Sequence, residues 1–139
     1  MRGESRSGTK KVLIVKVIDK NDLQRPESPT QMSADVFGPI PGTATASIID
    51  NVNMASQFRA CSFNKLNMIP HGGDNYNNAP GVITITGVVS LESNSRNAIR
   101  NDCISKANAK TGVNLASTNE WDHVIFVLQK CYVGKYVFV

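Results

Sequence analysis

Lys11-Val-Leu-Ile-Val-Lys-Val-Ile18 is the stretch that decides the fold. A strand with one wet face alternates apolar and polar residues. Here apolar, mostly β-branched residues fill both alternations, and only Lys16 breaks the run. That pattern predicts a strand inside a sheet covered on both faces, which requires helices as well as strands.

Working outward, Gly81-Val-Ile-Thr-Ile-Thr-Gly-Val-Val-Ser90 reads as a second strong strand, with Gly87 placed for a bulge. Trp121-Asp-His-Val-Ile-Phe-Val-Leu128 reads as a third, and Gly134-Lys-Tyr-Val-Phe-Val139 as a strand after a short turn. A shorter strand is expected from about Lys65. Between them, Asn94–Ala109 carries Ile99, Cys103 and Ala107 on one helical stripe, with Gly112 as its stop. Thr43–Phe58 carries Ile48, Val52 and Ala55 on another, with Ser47 and Asp50 as a capping pair. Pro26, Pro29, Pro39 and Pro41 make Asn21–Gly42 an irregular connection, with one short helical turn over Ala34–Phe37. The order β-α-β-β-α-β-β predicts a single α/β (α+β) domain. Its expected form is a mixed, twisted sheet of about five strands, two main helices packed on it and a flexible basic lead over residues 1–10.

The charge is local. Of 139 residues with a formal net charge of +4, residues 1–20 hold all the excess: six Lys and Arg against Glu4 and Asp19. Residues 21–139 are neutral in sum, which argues against a nucleic-acid-binding face on the fold. No apolar run reaches the roughly 18 residues of a membrane span. The charged start, with Lys16 interrupting the apolar stretch, does not resemble a signal peptide. Cys61, Cys103 and Cys131 are too few and too scattered for a disulfide scaffold or a C-x-x-C zinc site. One disulfide with a free thiol, or three reduced thiols, both fit.

Chemistry-bearing motifs are sparse. His71 and His123 are the two histidines, and there is no H-E-x-x-H, no phosphate-binding Gly-rich loop and no G-x-S-x-G. Cys61 reads as a small residue at a helix end rather than a nucleophile. Asp74, Asn75, Asn77 and Asn78 offer oxygen ligands, but their spacing is not that of a calcium loop, so a solvated turn is expected. Asp122 and His123 are neighbours in a strand, which aims them to opposite faces.

The first strand, the helix running into Ser56-Gln-Phe-Arg-Ala-Cys-Ser-Phe-Asn-Lys-Leu66 and the segment Trp121–Leu128 together resemble the gametolysin-type zinc metallopeptidases of the metzincin clan. The resemblance covers about residues 11–139 and is most specific at Cys61-Ser-Phe-Asn-Lys-Leu66. Asn64 stands where that family usually has glycine; asparagine tolerates the left-handed backbone such a turn needs. The resemblance implies the metzincin upper subdomain and extracellular proteolysis by metal-activated water. It also implies an edge strand over Gly134–Val139 whose Tyr136, Val137 and Phe138 pair with peptide substrate. It implies zinc, yet neither histidine matches the family's ligand motif, so no catalytic or metal-ligating residue is assigned within these residues. The expectation is the N-terminal part of such a catalytic domain, inactive by itself, with the zinc-binding helix lying beyond it. The alternative is a non-catalytic α/β module that holds a partner at a sheet edge or at the Asn-rich loop.

Overall fold

The computed structural model describes residues 8–38, 53–70, 79–131 and 134–138, the stretch 130–138 through its backbone. β1 (Gly8–Asp19) is the central strand, and β2 (Leu66–Pro70), β3 (Val82–Val88), β4 (His123–Cys131) and β5 (Gly134–Phe138) assemble around it. Among the described residues three helices intervene: α1 (Pro29–Phe37), α2 (Met54–Cys61) and α3 (Arg96–Thr111). The fold is therefore mixed α/β, as the sequence predicts.

One edge of β1 is shared by two partners. Its first half pairs in parallel with β2, Gly8 opposite Leu66 through Val12 opposite Pro70. Its second half pairs in parallel with β3, starting at Ile14 opposite Val82. On the other edge β1 pairs in parallel with β4, and β5 closes that side antiparallel to β4. β1 begins three residues earlier than expected, because Gly8–Lys10 are held by β2 and so belong to the sheet rather than to the lead. The bulge expected at Gly87 is present: its φ is +69° and the register against β1 slips between Val17 and Asp19. The extra residue keeps Val88, not its neighbour, on the buried face.

Residues Val12 through Val17 are all buried. Leu13, Val15 and Val17 pack with Phe126 beneath Ile99, Cys103 and Ala107 of α3. Val12 and Ile14 face the opposite way, against Ala55 of α2 and Met32 of α1. Burial on both faces is what an apolar run without alternation demands. The α3 stripe read from sequence is the buried one, and the helix runs from its Ser95 cap to a left-handed Gly112.

Two helical expectations need correction. The Pro-bearing connection holds a nine-residue helix, not one turn. Ser28 caps it, accepting from the Gln31 N–H at 3.1 Å, and Pro29 occupies the first position, where a missing N–H costs nothing. A continuous helix over Thr43–Phe58 is excluded at Asn53, whose extended backbone (φ −123°, ψ 173°) is the cap of α2. There Asn53 and Ser56 form a reciprocal capping box. The capping pair expected at Ser47 and Asp50 lies outside the described residues.

Candidate functional site

Two adjoining features can receive a ligand: the outer edge of β5, and a cleft over the seam between β1 and β4. β5 is the last strand of the sheet path, and β4 is its one partner among the described residues. Its register sets Phe138, Val137 and Tyr136 opposite Ile125, Phe126 and Val127. The backbone of the expected substrate strand is therefore in a sheet, antiparallel, with a second edge directed away from β4. Such an edge can add a further strand through main-chain hydrogen bonds.

The cleft has a cavity of about 300 Å³. Its floor is Ile14 of β1 with Ile125 and Val127 of β4, and its wall is Met32 and Val36 of α1 with Met54 of α2. The position follows from topology. The chain crosses from β1 to β2 and β3 over one face and from β3 to β4 over the other, so the helices diverge at the β1–β4 seam. Doubly wound sheets open a crevice at such a switch. Ile125 and Val127 are the ladder partners of Phe138 and Tyr136, so cleft and edge share β4.

Charge at the cleft is internally matched. Arg25 grips Glu27 with two hydrogen bonds, Nε to Oε2 at 3.1 Å and Nη2 to Oε1 at 2.6 Å. The Arg25 hydrogen bond is the main reason that the Glu27 carboxyl is held below its usual range. Lys16, only 7% exposed, donates from Nζ to the Glu27 carbonyl at 2.8 Å. Burial lowers its pKa, and the Glu27 charge opposes that shift. Asp35 accepts from Gln31 Nε2 at 2.9 Å. This set favours binding: an apolar floor with a charged rim, without a nucleophile paired to a base.

The other sequence candidates are dispersed. His123 begins β4, half-buried, opposite Val12. The Asp122 carboxylate does not serve it. It accepts from the Lys11 N–H at 2.7 Å, while the Asp122 N–H donates to the Lys11 carbonyl at 2.8 Å. His71, Asp74, Asn75, Asn77 and Asn78 lie outside the described residues. Among the described residues no three His, Cys, Asp or Glu side chains gather to hold a metal, so they do not fit a zinc site.

Cys61 ends α2 and is exposed, not packed as a small apolar residue. Cys103 is buried, and burial first, with Asp102 beside it, pushes its thiol up to about 12. Both are free thiols. A thiol reagent applied to the native chain at pH 8 should therefore label Cys61 about a hundredfold or more faster than Cys103. Mass-spectrometric peptide mapping reads the ratio; equal rates would show that α3 does not shield Cys103.

One residue that the sequence did not single out is Asp19, at the end of β1 and 2% exposed. Its Oδ1 accepts from the N–H groups of Asn21 and Leu23, both at 2.8 Å, and its Oδ2 from Leu91 N–H at 3.1 Å. All three bonds are to backbone, which makes it a structural clamp. The local signal was an acid at a strand end followed by a turn; the bond to Leu91 has no sequence signature.

No family model matches the chain, and no curated protein or solved structure is found to be similar to it.

Proposed function

We propose that residues 8–138 are the sheet-bearing part of a zinc metallopeptidase catalytic domain of the gametolysin type, with β5 as the strand that receives peptide substrate. The observation that carries this reading is the position of β5. Among the described residues it is the antiparallel edge beside the strand that begins at His123, where the resemblance calls for a substrate-binding edge. The turn through Cys61-Ser-Phe-Asn-Lys-Leu66 lends support, since Asn64 adopts φ +65°, the conformation that the family's glycine would supply. On this reading the ligands for zinc and the general base are not among the residues described here. When bound, zinc would activate water for attack on the peptide carbonyl. The residues described here contribute the backbone edge that aligns the peptide and the sheet that holds it.

Hydrogen exchange tests the edge. An extended peptide should slow exchange in residues 134–138 and leave Leu66–Pro70, at the far side of the sheet, unchanged. Equal protection of both segments, or of neither, counts against β5 as the docking strand. The 139-residue chain itself should take up no stoichiometric zinc and show no chelator-sensitive cleavage of casein.

A second reading, a non-catalytic module, is favoured by the apolar cleft at the β1–β4 seam. It differs in one consequence: the isolated 139-residue chain should then unfold in one cooperative transition, whereas a partial domain should aggregate or look molten.

A further inference from the structure

Phe63 is 87% exposed, and its backbone sits at φ +54°. A phenylalanine in the left-handed region is strained, and one that exposed contributes almost nothing to the core. Phe58, on the last turns of α2, is 46% exposed. These are the large hydrophobic residues that stand out of the described surface. The turn that carries Phe63 is tightly built. Ser62 Oγ accepts from Leu66 N–H at 2.8 Å, and the Asn64 N–H donates to the Arg59 carbonyl at 2.8 Å. Phe63 is thus presented by an ordered turn.

The surroundings are basic. Lys65 and Arg59 are exposed, and no Asp or Glu occurs between Asp50 and Asp74. Gly8 N–H donates to the Lys65 carbonyl at 2.6 Å, so the start of β1 lies against the same turn. Lys10 is on that strand, opposite Met68. Arg2 and Arg6 precede it in sequence, where only Glu4 opposes them. Among the described residues no carboxylate pairs with Lys10, Arg59 or Lys65; Arg59 bonds Asn67 Oδ1 at 2.7 Å. Of the cations in the first twenty residues, Lys10 therefore lies in the part of β1 that pairs with β2, next to the exposed aromatic turn.

We infer that this end of the molecule, Phe63 and Phe58 within the Lys10–Arg59–Lys65 cluster, is a docking surface for an anionic lipid bilayer. Phe63 enters the boundary between headgroups and acyl chains, and the cations lie among the lipid phosphates and carboxylates. A ring without a hydroxyl or N–H has no polar handle for a hydrated polymer, whereas the bilayer boundary accepts it whole. The cations supply attraction that is additive over the surface and screened by salt. This surface is independent of the metallopeptidase reading: it lies at the β2 side of the sheet, away from β5.

Co-sedimentation of the full chain with extruded vesicles tests it. Vesicles of phosphatidylcholine and phosphatidylserine at 7:3 should bind the chain at least tenfold more tightly than phosphatidylcholine alone, and raising salt should erase the difference. Phe63→Asn removes the ring and suits the positive φ, so its circular dichroism should be unchanged while vesicle affinity falls at least tenfold. As a gain of signal, Phe63→Trp should blue-shift on mixed vesicles and be quenched by brominated acyl chains. Trp121, already buried, should not respond. No binding to mixed vesicles at low salt overturns the inference, as does binding that Phe63→Asn leaves intact. Capture by a soluble sulfated polysaccharide without vesicle binding also overturns it, assigning the patch to an acidic polymer.

Discussion

Replacing Asp19 with alanine is expected to lower the free energy of unfolding by about 3 kcal/mol. The carboxylate accepts three backbone N–H donors, from Asn21, Leu23 and Leu91. Leu91 is 1% exposed, so its N–H loses its partner with no water to replace it. The donors of Asn21 and Leu23 lie nearer the surface, where solvent recovers part of their loss. A buried donor left unsatisfied costs about 1–3 kcal/mol, which makes the Leu91 bond the largest contribution. Asp19→Asn should cost less, because its amide oxygen still accepts, although its NH₂ then faces a donor.

The pH dependence separates charge from shape. Burial works to raise the Asp19 pKa, but the hydrogen bonds from Leu23, Leu91 and Asn21, with Lys20 nearby, outweigh it and hold the group below its usual value. A carboxyl with a lowered folded pKa stabilises the fold fully above its unfolded pKa. That contribution is lost as pH falls through the folded value. Denaturation curves from pH 7 downward should show the wild-type chain losing stability in the acid range with a component that Asp19→Asn lacks. Parallel profiles for the two proteins would show that Asp19 is not the group responsible.

The second large effect is expected at Gly81. Its φ of +72° lies in the left-handed region, and a Cβ there would stand 2.7 Å from Phe37 Cε2 and 2.8 Å from Pro70 Cβ. It would also stand 3.0 Å from Pro70 Cα, a backbone atom that cannot swing aside. Gly81 is where β1 changes partner: its carbonyl accepts from Ile14 N–H at 2.7 Å, just beyond the last residue of β2. Gly81→Ala should therefore cost about 3 kcal/mol, backbone strain and overpacking together. Gly87 supplies the control. Its φ is +69°, yet nothing lies within 4 Å of a Cβ built there. Gly87→Ala should cost about 1 kcal/mol, the strain alone. Chemical denaturation of the two variants measures the difference. Equal costs would mean that Phe37 and Pro70 do not close on Gly81.

The parts of this structure that were legible in the sequence are those fixed by local pattern. The doubly buried β1 follows from its lack of alternation, and the buried face of α3 from Ile99, Cys103 and Ala107. The bulge at Gly87 follows from a glycine within a β-branched run. Helix ends were less legible, because caps depend on single side chains. Prolines around α1 suggested irregularity, yet Pro29 starts the helix instead of breaking it. Asn53 opens α2, inside the stretch that reads as one continuous helix.

The cleft and the clamp were not legible, for a different reason. Ile14 meets Ile125 only because β4 pairs with β1 and not with β3. Asp19 meets Leu91 only once β3 has delivered the chain to the same end of the sheet. Neither contact has a short-range signature. The β5 edge is an intermediate case. Its strand pattern was readable, and its antiparallel place at the sheet boundary comes from the pairing with β4.

The metallopeptidase reading is tested most directly by metal content and casein turnover of the product encoded when the reading frame is followed past Val139. The expected result is an H-E-x-x-H or Q-E-x-x-H helix in the added segment, one zinc per chain and cleavage that a chelator abolishes. A coding sequence with neither motif, or a longer product that binds no zinc and cleaves nothing, would contradict it.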